Sequence, residues 1–195
     1  KGKNIALSVC KQLAALPWEH VLLTKAVQDD SYVSNRTKER TYMFPVWSNS
    51  GTNRTANFSQ SFLDTFKSVL NLPATDYRPE DSTAPLHAEK IFHYLYAVLH
   101  SPAYRQRYAA FLRTDFPRIP IPGSRAVFDA LAKLGAELVA WHLLEHPAAL
   151  AIGGSPHPSH LPEEEGTNTR WFGTDFSLQK VGEKGKSLTE LSGDV

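Results

Sequence analysis

One cysteine, Cys10, is all that 195 residues provide, so no internal disulfide framework and no cysteine-based zinc finger can be built. That usage leads us to expect a reducing, cytoplasmic setting. There is no apolar run near the roughly 20 residues that span a bilayer, and the opening Lys1-Gly2-Lys3-Asn4 has no signal-peptide core. Without a secretion signal, the acceptor patterns at Asn35, Asn53 and Asn57 read as chance rather than glycosylation sites. An initiating Met is missing as well, which suggests a piece of something longer. Neither a Gly-x-x-x-x-Gly-Lys phosphate loop nor a glycine-rich dinucleotide loop occurs, and no internal repeat stands out.

What remains is an ordinary globular composition, 42% hydrophobic and 21% charged, long enough to bury a core. Ile5 to Val9, Trp18 to Thr24 and Tyr42 to Trp47 are short runs rich in β-branched and aromatic residues, and predict strands. Ser48 to Ala56 reads as a polar connector. Asn57 or Ser59 then caps a helix with Phe62, Phe66, Val69 and Leu70 on its buried side, ending near Asn71 and Pro73. After a loop over 74–85, Ile91, Leu95, Val98 and Leu99 recur at helical spacing until His100, where Pro102 ends the run.

Ser101 caps the next helix with Pro102 at its first position, and Tyr104, Tyr108, Phe111 and Leu112 form its expected buried stripe. Three alternating prolines hold Phe116 to Pro122 extended. Ser124 caps a longer helix whose stripe is Val127, Leu131, Leu134, Leu138 and Trp141, with His146-Pro147 as its stop. Beyond it, Gly153 to Gly166 reads as a loop, Glu163-Glu164-Glu165 as solvated charge, and Trp171 to Val181 as a possible strand. The fold class is therefore α+β: a β-rich part over 1–56 packed beside a helical bundle over 57–150, with a loop-rich extension over 151–195.

The net charge of +1 conceals an asymmetry. Residues 1–125 carry 16 Lys and Arg against 10 Asp and Glu, while residues 126–195 carry 5 against 10. The basic half is the candidate nucleic-acid surface, although a solvated face gives a similar excess. Within it the polar loop Asp29 to Arg40 offers Ser34, Asn35, Arg36, Thr37, Lys38 and Arg40. Arg can pair with guanine and Asn with adenine, while Ser, Thr and Lys can hold phosphate oxygens. Arg54, Arg105, Arg113 and Arg118 are further candidate phosphate contacts.

An enzymatic alternative lies in His142-Leu143-Leu144-Glu145-His146, since two imidazoles four apart on a helix can share a zinc ion beside a glutamate base. Pro147 directly after it argues for a frayed end, with His142 a packing residue and His146 a helix C-terminal cap. His93 and His100 share a face but have no third ligand of matching spacing, and Cys10 has no neighbouring His to activate it. The tyrosines of 94–108 fit core positions better than base stacking. No catalytic residue and no metal or other cofactor is assigned to this chain.

The run Ile91-Phe92-His93-Tyr94-Leu95-Tyr96-Ala97-Val98-Leu99-His100-Ser101-Pro102, with Tyr104-Arg105, Tyr108 and Asp115-Phe116-Pro117-Arg118-Ile119-Pro120, closely resembles the C-terminal specificity region of Type ISP restriction-modification enzymes. Tyr32 to Asn35, Tyr42 to Pro45, Asn57 to Ser59 and Leu134-Gly135 leading to His142 to Glu145 fall in the same order. The resemblance covers about residues 5–146. It implies a target recognition domain that binds double-stranded DNA and holds it for an adjacent adenine N6-methyltransferase of the same polypeptide. The nuclease, the ATP-driven translocase and the methyltransferase's Asn-Pro-Pro-Tyr motif would lie outside this chain, and no membrane is involved. A helical protein-interaction module without DNA readout is the alternative from another class.

Overall fold

The computed structural model describes residues 4–13, 18–33, 39–50 and 52–151. The loop Ser34 to Lys38 and the expected loop, acidic run and strand beyond residue 151 lie outside these.

Five strands come first. β1 (Ala6–Cys10), β2 (Val21–Thr24) and β3 (Thr41–Pro45) form an antiparallel sheet of order β2-β1-β3. β1 is the central strand, and Val9 lies opposite both Val21 and Tyr42. Being covered on both sides, β1 buries Ala6, Ser8, Val9 and Cys10; the Ser8 hydroxyl donates to Gln28 Oε1 at 2.9 Å, which satisfies its one buried polar group. Cys10 sits inside with its thiol pKa raised, by burial first and Glu39 second, so it is no nucleophile.

The segment expected to be a polar connector is instead a hairpin, β4 (Trp47–Ser50) against β5 (Asn53–Ala56). Its polar side chains face water on both sides over most of its length, so no alternation of apolar residues signals it in the sequence. Val46, 1% exposed, separates the two sheets; it donates to the Ile5 carbonyl and accepts from the Asn57 amide.

Ser59 caps α1 (Gln60–Val69) by accepting the Phe62 amide. Leu63 and Phe66 are its buried residues, whereas Val69, expected inside, is 45% exposed. Asn71 adopts a positive φ just past the helix, as a C-terminal stop requires. A 3-10 turn, Ala74–Asp76, interrupts the next loop. α2 (Ala88–His100) is the most buried helix, with Ile91, Phe92, Tyr94, Tyr96, Val98 and Leu99 all inside. Ser101 and Pro102 open α3 (Pro102–Arg107) as expected.

The helix expected to continue through Leu112 breaks at Tyr108, whose backbone leaves helical geometry, and α4 (Ala109–Leu112) follows. Tyr104 and Leu112 are buried, but Tyr108 at the break is 37% exposed rather than part of the stripe. The proline turn that follows is tied down by two hydroxyls: Tyr94 donates to the Pro120 carbonyl at 2.8 Å and Tyr104 to the Arg118 carbonyl at 2.9 Å. Burial pushes both phenols up to about 12, so they remain donors at any working pH.

Ser124 caps α5 (Arg125–His142). Its buried face is Phe128, Ala132, Gly135 and Val139, not the predicted leucine stripe, in which Val127, Leu134 and Trp141 are exposed. Close approach explains the choice. A Cβ at Gly135 would lie 1.9 Å from the His93 carbonyl oxygen, so α2 and α5 meet where side chains are smallest.

α5 ends at His142, earlier than the proline implies, and Leu144 takes a positive φ. His146 then serves the opposite helix end from that expected: its Nδ1 accepts the Ala148 amide at the start of α6 (Pro147–Ala151), while its ring stacks on Trp141 at 4.0 Å. His142 shares a 2.5 Å hydrogen bond with the Tyr96 hydroxyl instead. The two imidazoles turn to different partners, so the zinc alternative loses its geometry. Among the described residues no group of three His, Cys, Asp or Glu is placed to hold a metal. No helix among them is long and apolar enough to cross a membrane.

Candidate nucleic-acid interface

β3 carries the chain directly out of the polar loop, and its residues show what that loop is mounted on. Tyr42, Met43 and Phe44 are 40%, 39% and 43% exposed. Strand alternation puts Tyr42 and Phe44 on one face. There both meet Phe116 of the proline turn edge-on, with centroids 5.0 and 5.7 Å away. An open apolar groove of about 550 Å³ continues from Phe44 and Phe116 toward Phe58, Phe62 and Leu95.

One cation meets this aromatic cluster directly. Lys11 Nζ stands 6.0 Å over the Phe116 ring. Arg40, immediately before β3, is largely exposed and 3.6 Å from Asp30. Arg118, two residues beyond Phe116, lies over Phe111 at 4.7 Å and 3.8 Å from Asp115. Exposed pairs of this length hold a side chain loosely, leaving the guanidinium usable by a stronger anion. Arg113 is exposed, and its carbonyl accepts the Leu13 amide next to Lys11 and Gln12. Lys11 thus reaches the aromatic patch directly, while Arg40 and Arg118 adjoin it along the chain, two residues before Tyr42 and two beyond Phe116.

Two candidates stand apart. Arg54 lies on the β4–β5 hairpin with its guanidinium 4.3 Å from the Trp47 ring centroid. Arg105 is turned inward: Nε donates to the Leu99 carbonyl at 2.7 Å, an Nη lies 3.1 Å from His100 Nδ1, and the guanidinium sits 5.7 Å from the Trp18 ring. Its pKa is lowered by burial. The geometry gives Arg105 an internal task, joining α2, α3 and the approach to β2. Because it donates to His100 Nδ1, that imidazole is held neutral, and burial together with the Arg105 and His142 charges brings its pKa down to about 4.

Lys11, Tyr42, Phe44 and Phe116 were absent from the sequence-derived set. The signal for them is Tyr42-Met43-Phe44 itself, a strand apolar on both faces, which among the described residues pairs with β1 alone.

The sequence from residue 1 to 182 matches the family model described as the Type ISP C-terminal specificity domain. The chain belongs to that family. Among solved structures, this specificity domain is similar to one titled as a cryo-EM DrdV–DNA complex, at 32% identity and a TM-score of 0.56, over 72% of this chain and 12% of that one. It also shares its fold with a structure titled as the ATP-dependent Type ISP restriction-modification enzyme LlaBIII bound to DNA, at 19% identity and a TM-score of 0.52, over 72% of this chain and 8% of that one. The chain therefore spans about a tenth of the length of the structures it matches. No curated protein matches it.

Proposed function

We propose that this specificity domain reads a double-stranded DNA sequence on behalf of a longer restriction-modification polypeptide, whose methyltransferase, translocase and nuclease chemistry lies elsewhere. The family match over residues 1–182 carries the reading, supported by the likeness to a DNA-complexed relative at 32% identity. In this reading the loop Ser34, Asn35, Arg36, Thr37, Lys38 to Arg40 reaches base edges, and Arg113, Arg118 and Lys11 hold phosphates. Arg54 is a further phosphate contact at the hairpin. Arg105 is left to the core.

Phosphate contacts set affinity and its fall with salt, while base contacts set the sequence read. The methyltransferase would then extrude its target adenine from the duplex that this domain holds in register. The test is methylation of a known site by the parent polypeptide carrying Arg36→Ala or Arg40→Ala. Each is expected to lose about 1–3 kcal/mol of site discrimination, roughly five- to 150-fold in rate at limiting DNA, with an unchanged thermal melt. Full site preference in both variants would remove the loop from the reading.

A further inference from the structure

The β4–β5 hairpin adds little to the core beyond its root, yet at that root it is held firmly. Trp47, 4% exposed, is clamped by one asparagine: its amide donates to Asn4 Oδ1 at 3.1 Å and its carbonyl accepts from Asn4 Nδ2 at 2.8 Å. The Asn4 side chain thus supplies the pair of bonds that a neighbouring strand would give. Asn57, just past β5, donates its amide to the Val46 carbonyl at 2.8 Å and its Nδ2 to the Pro45 carbonyl at 3.0 Å. Among the described residues the two strands pair only with each other, Ser48 opposite Thr55 and Asn49 opposite Arg54. Alternation puts Asn49 and Arg54 on the side of Trp47, and Ser48, Asn53 and Thr55 on the other, where all three are exposed. Composition separates this second face from an ordinary solvated one. Surfaces kept for solubility are about a quarter or more Lys, Arg, Asp and Glu. Residues 41–63 contain no Asp or Glu and a single cation, Arg54. Short hydroxyl and amide side chains stand in place of charges; each carries both donor and acceptor, and each loses less rotamer freedom on being fixed than Lys or Glu does. No carboxylate in the stretch opposes a phosphate backbone.

We infer that the β4–β5 ribbon enters the DNA major groove with its Ser48, Asn53 and Thr55 face toward the bases, Asn53 reading an adenine. The major groove, about 12 Å wide, admits a two-stranded β-ribbon, and an Asn amide matches the N6 donor and N7 acceptor of adenine bidentately. Ser48 and Thr55 serve donors or acceptors on the neighbouring base edges. Arg54, on the opposite face over Trp47, is left to the phosphates. The inference rests on the DNA reading above and adds to it a second reading element, one whose root is fixed by Asn4 and Asn57.

The experiment maps the sites methylated by the parent polypeptide on a randomised duplex library, wild type against Asn53→Ala. It then measures binding of both proteins to the preferred site carrying 7-deazaadenine, which lacks the N7 acceptor, at each adenine in turn. Asn53→Ala is expected to relax preference at one adenine position by roughly five- to 150-fold, with the other positions and the thermal melt unchanged. 7-Deazaadenine at that position should weaken the wild type and leave Asn53→Ala unaffected. Ser48→Ala and Thr55→Ala should relax only the positions next to it. If the wild type selects no sequence, this inference and the DNA reading fall together. If it selects one while Asn53→Ala keeps its preference at every position, the DNA reading stands and the ribbon assignment is overturned. Two other results overturn the assignment alone: a loss of rate equal on all sites, as for a hairpin that docks a protein domain, and equal sensitivity of both proteins to 7-deazaadenine at every position.

Discussion

At Gly135 the backbone of α5 lies against the carbonyl of His93, and any side chain there must push two helices apart. Gly135→Ala is expected to cost at least about 2 kcal/mol in denaturant unfolding, well above the ~1 kcal/mol that alanine ordinarily gains over glycine inside a helix. A stabilised variant would mean that α2 and α5 do not meet here. Histidines give a second test at this scale. His93 and His100 are each held near a pKa of about 4, below the ordinary 6.5, chiefly by burial. Since the unfolded chain takes up these protons first, their contribution is intact above pH 6.5 and is lost as pH falls from there toward 4. Each histidine should contribute a slope of up to about 1.4 kcal/mol per pH unit across that window. Urea midpoints at pH 7, 6 and 5 measure it, before the carboxylates begin to titrate. His100→Gln should flatten the slope, and an unchanged slope in that variant would show that His100 is not the group responsible.

Helix starts were legible in the sequence because a cap is a local event: Ser59, Ser101 and Ser124 each accept an amide three residues on. The α+β class and the extended proline turn were legible for the same reason. Which face of α5 packs was not, because two apolar stripes share one helix and the decision rests on how closely α2 can approach. The β4–β5 hairpin was hidden for want of apolar alternation. Of the candidate site, the arginines were readable as charge, yet Arg105 differs from Arg113 only through its neighbours Leu99, His100 and Trp18. Two tyrosine hydroxyls fasten the proline turn to α2 and α3. Tyr94→Phe and Tyr104→Phe should each cost about 1–1.5 kcal/mol by thermal or urea unfolding, since each leaves a carbonyl short of a donor. Tyr42→Phe, whose ring contact to Phe116 survives, should cost far less.

On the larger scale, a three-stranded sheet and a helical group share one core among the described residues and present an aromatic surface that Lys11 edges. Salt dependence separates the parts of that surface. Removing Arg113 or Arg118 should weaken DNA binding uniformly across sequences and lower the slope of log affinity against log salt by about 1. Phe44→Ala should leave that slope alone. The central claim, that these residues read duplex sequence, is tested most directly by selecting binders from a randomised duplex library with the 195-residue chain at moderate salt. The account predicts enrichment of one short sequence, lost when Arg36 and Arg40 are both replaced by Ala. Recovery of an unselected pool, bound with the same salt dependence as any duplex, would contradict it.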